Sequence, residues 1–214
     1  MKLRSKDLRL YAVTDRTWAA DSAALLRQIE DAIDGGATMV QLREKHLDEA
    51  SFLAEAEAFV SLCRRKGAIS IINDNVDIAV KTGADGVHVG QEDLAAGRVR
   101  DVLGPDKIIG VSAHNVEEAL AAQAAGADYL GTGAAFVTGT KTDAKPISRD
   151  TIRAICDAVD IPVVAIGGIT RDNILELKGC GLDGVAVVSA LFAQKDVKAA
   201  AEELLALSNE IASR

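Results

Sequence analysis

Three stretches of the sequence collect side chains that can hold an anion or a cation. Gln41 to Lys45 reads QLREK, Ile71 to Asp77 reads IINDNVD, and Asp93 ends GQED. Alternate side chains of an extended backbone share a face, so Gln41, Arg43 and Lys45 point one way and Leu42 and Glu44 the other. Two cations on an inward face are costly to bury without partners. An anion would complete them, and a diphosphate suits an arginine fork beside a lysine. The plain alternative leaves Glu44 and Lys45 as loop residues in water.

Asp74 closes one apolar run, Ile69 to Ile72, and Asp93 follows another, Gly86 to Val89. On neighbouring strands about 4.8 Å apart the two carboxylates reach one spot. Beside a diphosphate such a pair binds Mg²⁺, a cation that takes carboxylate and phosphate oxygens together. Asn and Asp also close strands by turning the chain on their own side chains, the ordinary reading for either residue alone. The pair favours the metal. Glu92 is a weaker candidate for the same site, and Asn73 can hydrogen-bond a ligand ring or amine.

Ser112 and His114 form a Ser-x-His with no third partner nearby in sequence, which favours ligand hydrogen bonding by Ser112 over nucleophilic catalysis. His114 suits a helix cap or a structural role. His46 and His88 lack metal-ligand spacing with it, and His88 reads as a satisfied core histidine. Gly131 to Ser148 is too long for an ordinary connection and reads as a lid or binding loop. Within it Thr138, Thr140 and Lys141 offer two hydroxyls and a cation. Gly167-Gly168 and Val188-Ser189 end two further apolar runs, where backbone N–H groups can hold a phosphate.

These residues need a scaffold that gathers strand ends. Apolar runs at Leu10–Thr14, Thr38–Leu42, Ile69–Asn73, Gly86–Val89, Ile108–Val111, Tyr129–Thr132, Val163–Ile166 and Val185–Val188 read as buried strands. Between them lie helical patterns: Ser22–Gly35, Asp48–Lys66, Val116–Ala125, Ser148–Val159 and Asp196–Ala212, with Ser148 and Asp196 as N-caps. Four segments resemble one another: GGATMVQLRE, GADGVHVGQED, GADYLGTGAA and GLDGVAVVSA. Their Gly36, Gly83, Gly126 and Gly181 suit helix C-caps. Eightfold β-α alternation predicts an α/β fold, a single (β/α)₈ TIM barrel over residues 1–214, with its site at the carboxyl ends of the strands. VTDRTWAAD after the first strand lacks the glycine turn of a dinucleotide-binding sheet.

Composition agrees. The chain has 214 residues, 49% of them hydrophobic, enough for a sizeable core. Its net charge of −8 argues against a non-specific nucleic-acid binder. No run of about eighteen apolar residues predicts a membrane span, and the first residues do not read as a signal peptide. Cys63, Cys156 and Cys180 have no metal spacing and read as reduced thiols of a cytoplasmic protein.

LYAVTD, QLREK, INDNVDIA, GADGVHVGQED, GVSAH, TGTK, IPVVAIGGI and DGVAVVSA, in this order, resemble thiamine phosphate synthases over essentially the whole chain. The resemblance implies a Mg²⁺-dependent transferase. It joins hydroxymethylpyrimidine diphosphate to thiazole phosphate, or to its carboxylate with loss of CO₂, and releases diphosphate. It implies that Gln41, Arg43, Lys45, Asn73 and Lys141 hold the pyrimidine diphosphate and that Ser112 contacts the pyrimidine side. Asp74 and Asp93 would bind Mg²⁺; Thr138, Thr140, Gly168, Val188 and Ser189 would hold the thiazole phosphate. Arg43, Lys45, Ser112 and Lys141 would be the catalytic set. Ala134, Val137 and Gly139 depart from the proline-bearing sequence usual before T-x-T-K, which predicts a looser loop. Two alternatives are a thiazole tautomerase on the same barrel and a non-catalytic sensor of thiamine phosphates.

Overall fold

The computed structural model describes residues 3–91, 99–137 and 146–212. Eight strands form there: β1 (Leu10–Val13), β2 (Met39–Leu42), β3 (Ile69–Asn73), β4 (Gly86–Val89), β5 (Ile108–Ala113), β6 (Tyr129–Gly133), β7 (Val163–Ile166) and β8 (Gly184–Val187). Each pairs in parallel with the next, and β8 returns to β1 to close the barrel. The helices are α1 (Ser22–Asp34), α2 (Glu49–Lys66), α3 (Val76–Thr82), α4 (Val99–Leu103), α5 (Val116–Ala124), α6 (Arg149–Ala158), α7 (Ser189–Phe192) and α8 (Val197–Ile211).

Period-two alternation divides the strands between two cores. Leu10, Ala12, Val40, Leu42, Ile72, Val87 and Ile109 face the helices and join Leu25, Ile29, Phe59 and Ile152. Tyr11, Val13, Met39, Ile71, Ile108, Tyr129 and Val164 fill the barrel interior, with Leu8 below them. Large side chains fit there because facing positions are small. A Cβ on Gly110 would sit 2.1 Å from the Tyr129 ring, so β5 leaves room for that ring.

Expected strand limits differ from the observed ones by at most two residues. β5 runs on to Ala113 and β6 to Gly133, while β8 stops at Val187 because Val188 turns out of extended conformation (φ −116°, ψ −85°). Ser148 and Asp196 are N-caps, accepting from Thr151 N and Ala199 N at 3.0 and 2.9 Å. Gly36, Gly83 and Gly126 follow helices with positive φ (104°, 69° and 92°). Gly181 (φ 83°) caps no α-helix, since a 3-10 turn, Ile174–Leu177, and a loop precede it. No described helix is long and apolar enough to cross a membrane.

Candidate active site

All eight strands or the residues just after them line one cavity of about 330 Å³ at the carboxyl rim. It contains Gln41, Arg43, Lys45, Asn73, Asp74, Ser112, Gly168, Val188 and Ser189. Asp93, Thr138, Thr140 and Lys141, with Glu92 and Gly139, lie outside the described residues.

The β2 end alternates as its sequence predicts. Gln41 is 4% exposed and turns inward with Arg43, while Lys45 reaches the cavity rim and stays exposed. Glu44 turns outward onto Arg16, whose Nε donates to it at 3.1 Å. Arg16 also donates to Glu55, itself almost fully buried. Burial raises the Glu44 carboxyl above its ordinary range, against Arg16, and a hydrogen bond with Glu55 adds to the rise. Glu44 is therefore not a loop residue in water. Arg43 has a protein partner as well as room for an anion. Asp15, at the end of β1, approaches its guanidinium at 3.6 Å, and Thr14 Oγ1 accepts the Arg43 backbone N–H at 2.9 Å. Asp15 in turn accepts from Thr17 N at 2.9 Å. Nothing local in the sequence signals this pairing, which joins residues 28 positions apart at the ends of β1 and β2.

At the β3 end, Asp74 has φ 58°, left-handed for a residue with a side chain. Its N–H donates to His88 O at 2.9 Å, which pins that turn to β4. Asn73 Nδ2 donates to Asp74 Oδ2 at 2.6 Å. The helix-capping role falls one residue later: Asn75 Oδ1 accepts from Ile78 N at 2.9 Å. Asp74 is thereby left facing the cavity with a carboxylate that the helix does not use. A hard oxygen donor at a rim that also carries Arg43 and Lys45 fits Mg²⁺ shared with a phosphate. Among the described residues no three His, Cys, Asp or Glu side chains form a metal cluster.

Ser112 pairs with His88, not His114: His88 Nε2 lies 3.1 Å from Ser112 Oγ. His114 sits at the start of α5, where its ring Nδ1 lies 2.9 Å from Glu118 Oε2. His88 is satisfied, as expected of a core histidine, and it also lines the cavity.

Across the rim, Gly167 and Gly168 adopt φ 96° and 65°. A Cβ on Gly168 would meet Val137 O at 2.5 Å, so glycine lets the loops after β6 and β7 touch. Asn173 Nδ2 donates to Gly168 O at 2.9 Å and fixes that loop. Asn173 had no signal in sequence beyond its polar type. Val188 and Ser189 lie beside these glycines, at the end of the neighbouring strand β8, where α7 begins.

A closed parallel barrel with a polar cavity at its carboxyl rim defines a (β/α)₈ protein of the kind that binds small molecules there. A family model described as thiamine monophosphate synthase matches residues 10–191. A thiamine-phosphate synthase of Ruminiclostridium cellulolyticum is 50% identical over 204 residues, 95% of this chain and 97% of the relative. One from Chloroflexus aurantiacus is 50% identical over 202 residues, covering 94% and 93%. The solved thiamine phosphate pyrophosphorylase of Pyrococcus furiosus superposes with a TM-score of 0.88 at 38% identity, covering 98% and 99%. The chain belongs to the thiamine monophosphate synthase family, and its activity is the transferase reaction of thiamine biosynthesis.

Proposed function

We propose that the cavity couples hydroxymethylpyrimidine diphosphate to thiazole phosphate, or to its carboxylate with loss of CO₂, by a dissociative substitution. The methylene–oxygen bond breaks, diphosphate leaves with the bonding electrons, and the thiazole nitrogen closes on the methylene. One observation carries this reading above the others: Arg43, Lys45 and Asp74 meet at one side of the cavity, and Gly168, Val188 and Ser189 at another. That arrangement suits a departing diphosphate facing a second, phosphate-tethered ring.

Arg43 and Lys45, with Lys141, hold the diphosphate and stabilise the charge it gains on leaving. Asp15, 3.6 Å from the Arg43 guanidinium, offsets part of its charge before substrate arrives. Gln41, Asn73 and Ser112 orient the pyrimidine, whose amino group donates electrons to the methylene left behind. Thr138, Thr140, Gly168, Val188 and Ser189 hold the thiazole phosphate through hydroxyls and backbone N–H groups. The apolar wall of Val13, Val164, Ile166 and Ala186 limits water beside the cationic carbon. The thiazole nitrogen is nucleophilic as it stands, so no side chain need act as base.

Asp74 and Asp93 would hold Mg²⁺, which would screen the charge of the bound diphosphate. The barrel acts as one catalytic unit over residues 1–214, in the cytoplasm, on small phosphorylated molecules and on neither nucleic acid nor membrane. Buried Cys63, Cys156 and Cys180, read as reduced thiols, support that location. The tautomerase and sensor alternatives find no support in the relatives described above, which are named as synthases or pyrophosphorylase. Turnover of both substrates in Mg²⁺ and in excess chelator tests the metal. Product is expected with Mg²⁺ alone, and undiminished product in chelator would overturn the metal assignment.

A further inference from the structure

Along the floor of the cavity, five side chains from five strands form a continuous polar line, and four of them, Tyr11, Gln41, His88 and Ser112, line the cavity. Gln41 Nε2 donates to the Tyr11 hydroxyl at 2.6 Å. The Tyr11 and Tyr129 hydroxyls lie 2.8 Å apart. Tyr129 reaches His88 Nδ1 at 2.9 Å, and His88 Nε2 reaches Ser112 Oγ at 3.1 Å. The two ends, Gln41 and Ser112, line the cavity on β2 and β5. Tyr129 at the centre is fully buried, and its ring occupies the space left by Gly110.

The line has a direction, because each member has a fixed stock of protons. Burial drives both tyrosine hydroxyls well above their ordinary range, so each keeps its single proton. The Gln41 amide nitrogen is a donor only, so Tyr11 accepts there and spends its proton on Tyr129. Tyr129 then spends its own on His88 Nδ1. An accepting Nδ1 puts the imidazole proton on Nε2, from which it goes to Ser112 Oγ. The Ser112 proton is thereby released for another acceptor, and the Gln41 carbonyl oxygen takes no part in the line. Rotating the Gln41 amide by half a turn would reverse every bond and commit the Ser112 proton to His88.

We propose that Tyr11, Tyr129 and His88 are positioning residues that couple the Gln41 amide to the Ser112 hydroxyl across the barrel. They hold Gln41 as an acceptor and Ser112 as a donor toward the cavity. An aminopyrimidine matches this pair, since it carries amino N–H donors and ring-nitrogen acceptors on one rigid ring. The inference rests on the reading that Gln41 and Ser112 hold the pyrimidine substrate. The line makes recognition depend on Tyr129, which does not line the cavity and need not touch the ligand.

Nitrogen NMR of protein carrying ¹⁵N-histidine tests the direction without any substrate. His88 is assigned by elimination with His46→Gln and His114→Gln. The expected spectrum shows His88 protonated on Nε2 and bare at Nδ1, with that preference lost in Tyr129→Phe. A His88 protonated on Nδ1 in the unaltered protein would overturn the proposal. In steady-state assays Tyr129→Phe should raise KM for the pyrimidine diphosphate about tenfold, the cost of one buried unsatisfied partner. KM for the thiazole phosphate should stay within about twofold, within the scatter of a surface change. Tyr11→Phe cuts the same line nearer Gln41 and should show the same split, which guards against a folding defect in either variant. Unchanged constants, or an equal rise in both, would also overturn it. Failure of the unaltered protein to turn over the substrates would strike the proposed chemistry instead, and the spectrum would still decide the direction of the line.

Discussion

Asp74 carries two loads that substitution can separate. Its backbone is left-handed at φ 58°, held there by the bond from its N–H to His88 O, while its carboxylate faces the cavity. Alanine removes the carboxylate and keeps a Cβ that resists this conformation by roughly 1–2 kcal/mol. Glycine removes both, but loses roughly 0.5–1 kcal/mol through the freedom it gains in the unfolded chain. Taken near the middle of both ranges, the difference leaves Asp74→Gly more stable than Asp74→Ala by about 0.5–1 kcal/mol. For a chain of this length that is a melting-temperature gap of roughly 1–4 °C. Both variants lose the Asn73 contact equally, so it cancels in the comparison. Paired thermal melts measure the gap, and diphosphate release measures turnover in the same preparations. Both variants should lose about 10²-fold or more in kcat/KM, the scale for removing one electrostatic stabiliser. An alanine variant as stable as the glycine variant would refute the backbone argument. Substantial Mg²⁺-dependent turnover in either would refute the role given to the carboxylate.

Arg43→Lys keeps the charge and loses the planar fork beside Asp15, so kcat/KM for the pyrimidine diphosphate should fall about 10–100-fold in steady-state assays. Glu44 has a carboxyl raised by burial, so the folded state binds its proton more tightly than the unfolded chain does. Its contribution to stability therefore falls as pH rises through and above the ordinary value of 4.5; urea midpoints should show Glu44→Gln gaining on the unaltered protein from acid to neutral pH. Ser148→Ala removes the acceptor for Thr151 N and should cost about 1 kcal/mol in urea unfolding. KM for both substrates should be unmoved, since Ser148 caps α6 and does not line the cavity.

The barrel was legible because its signals are local. Strand alternation and helical periodicity depend on neighbours in sequence, and so do caps such as Ser148 and Asp196. The four similar segments lead into and span β2, β4, β6 and β8. What they do there was hidden, since the partner lies on another strand. Asp85, Asp128 and Asp183 accept backbone N–H groups of Ser70, Ile109 and Val163 at 2.9, 2.8 and 2.8 Å. Each aspartate ties an even strand to the odd strand before it. Thr38 does the corresponding work at β2, donating to Leu10 O at 3.3 Å. Within the cavity, residue types at the strand ends were readable from alternation alone, as at Gln41, Arg43 and Lys45. The pairings that orient them were not. Asp15 meets Arg43, Arg16 meets Glu44 and Glu55, and Tyr129 meets His88 only once the sheet closes.

The central claim is that side chains from separate strands converge on one departing diphosphate while a second phosphorylated ring waits opposite. Incubation with both substrates and Mg²⁺, with thiamine phosphate and diphosphate quantified together, tests it most directly. The two products should appear in equal amounts and only when both substrates are present. Diphosphate released without thiamine phosphate, or a rearranged thiazole with no diphosphate, would contradict it.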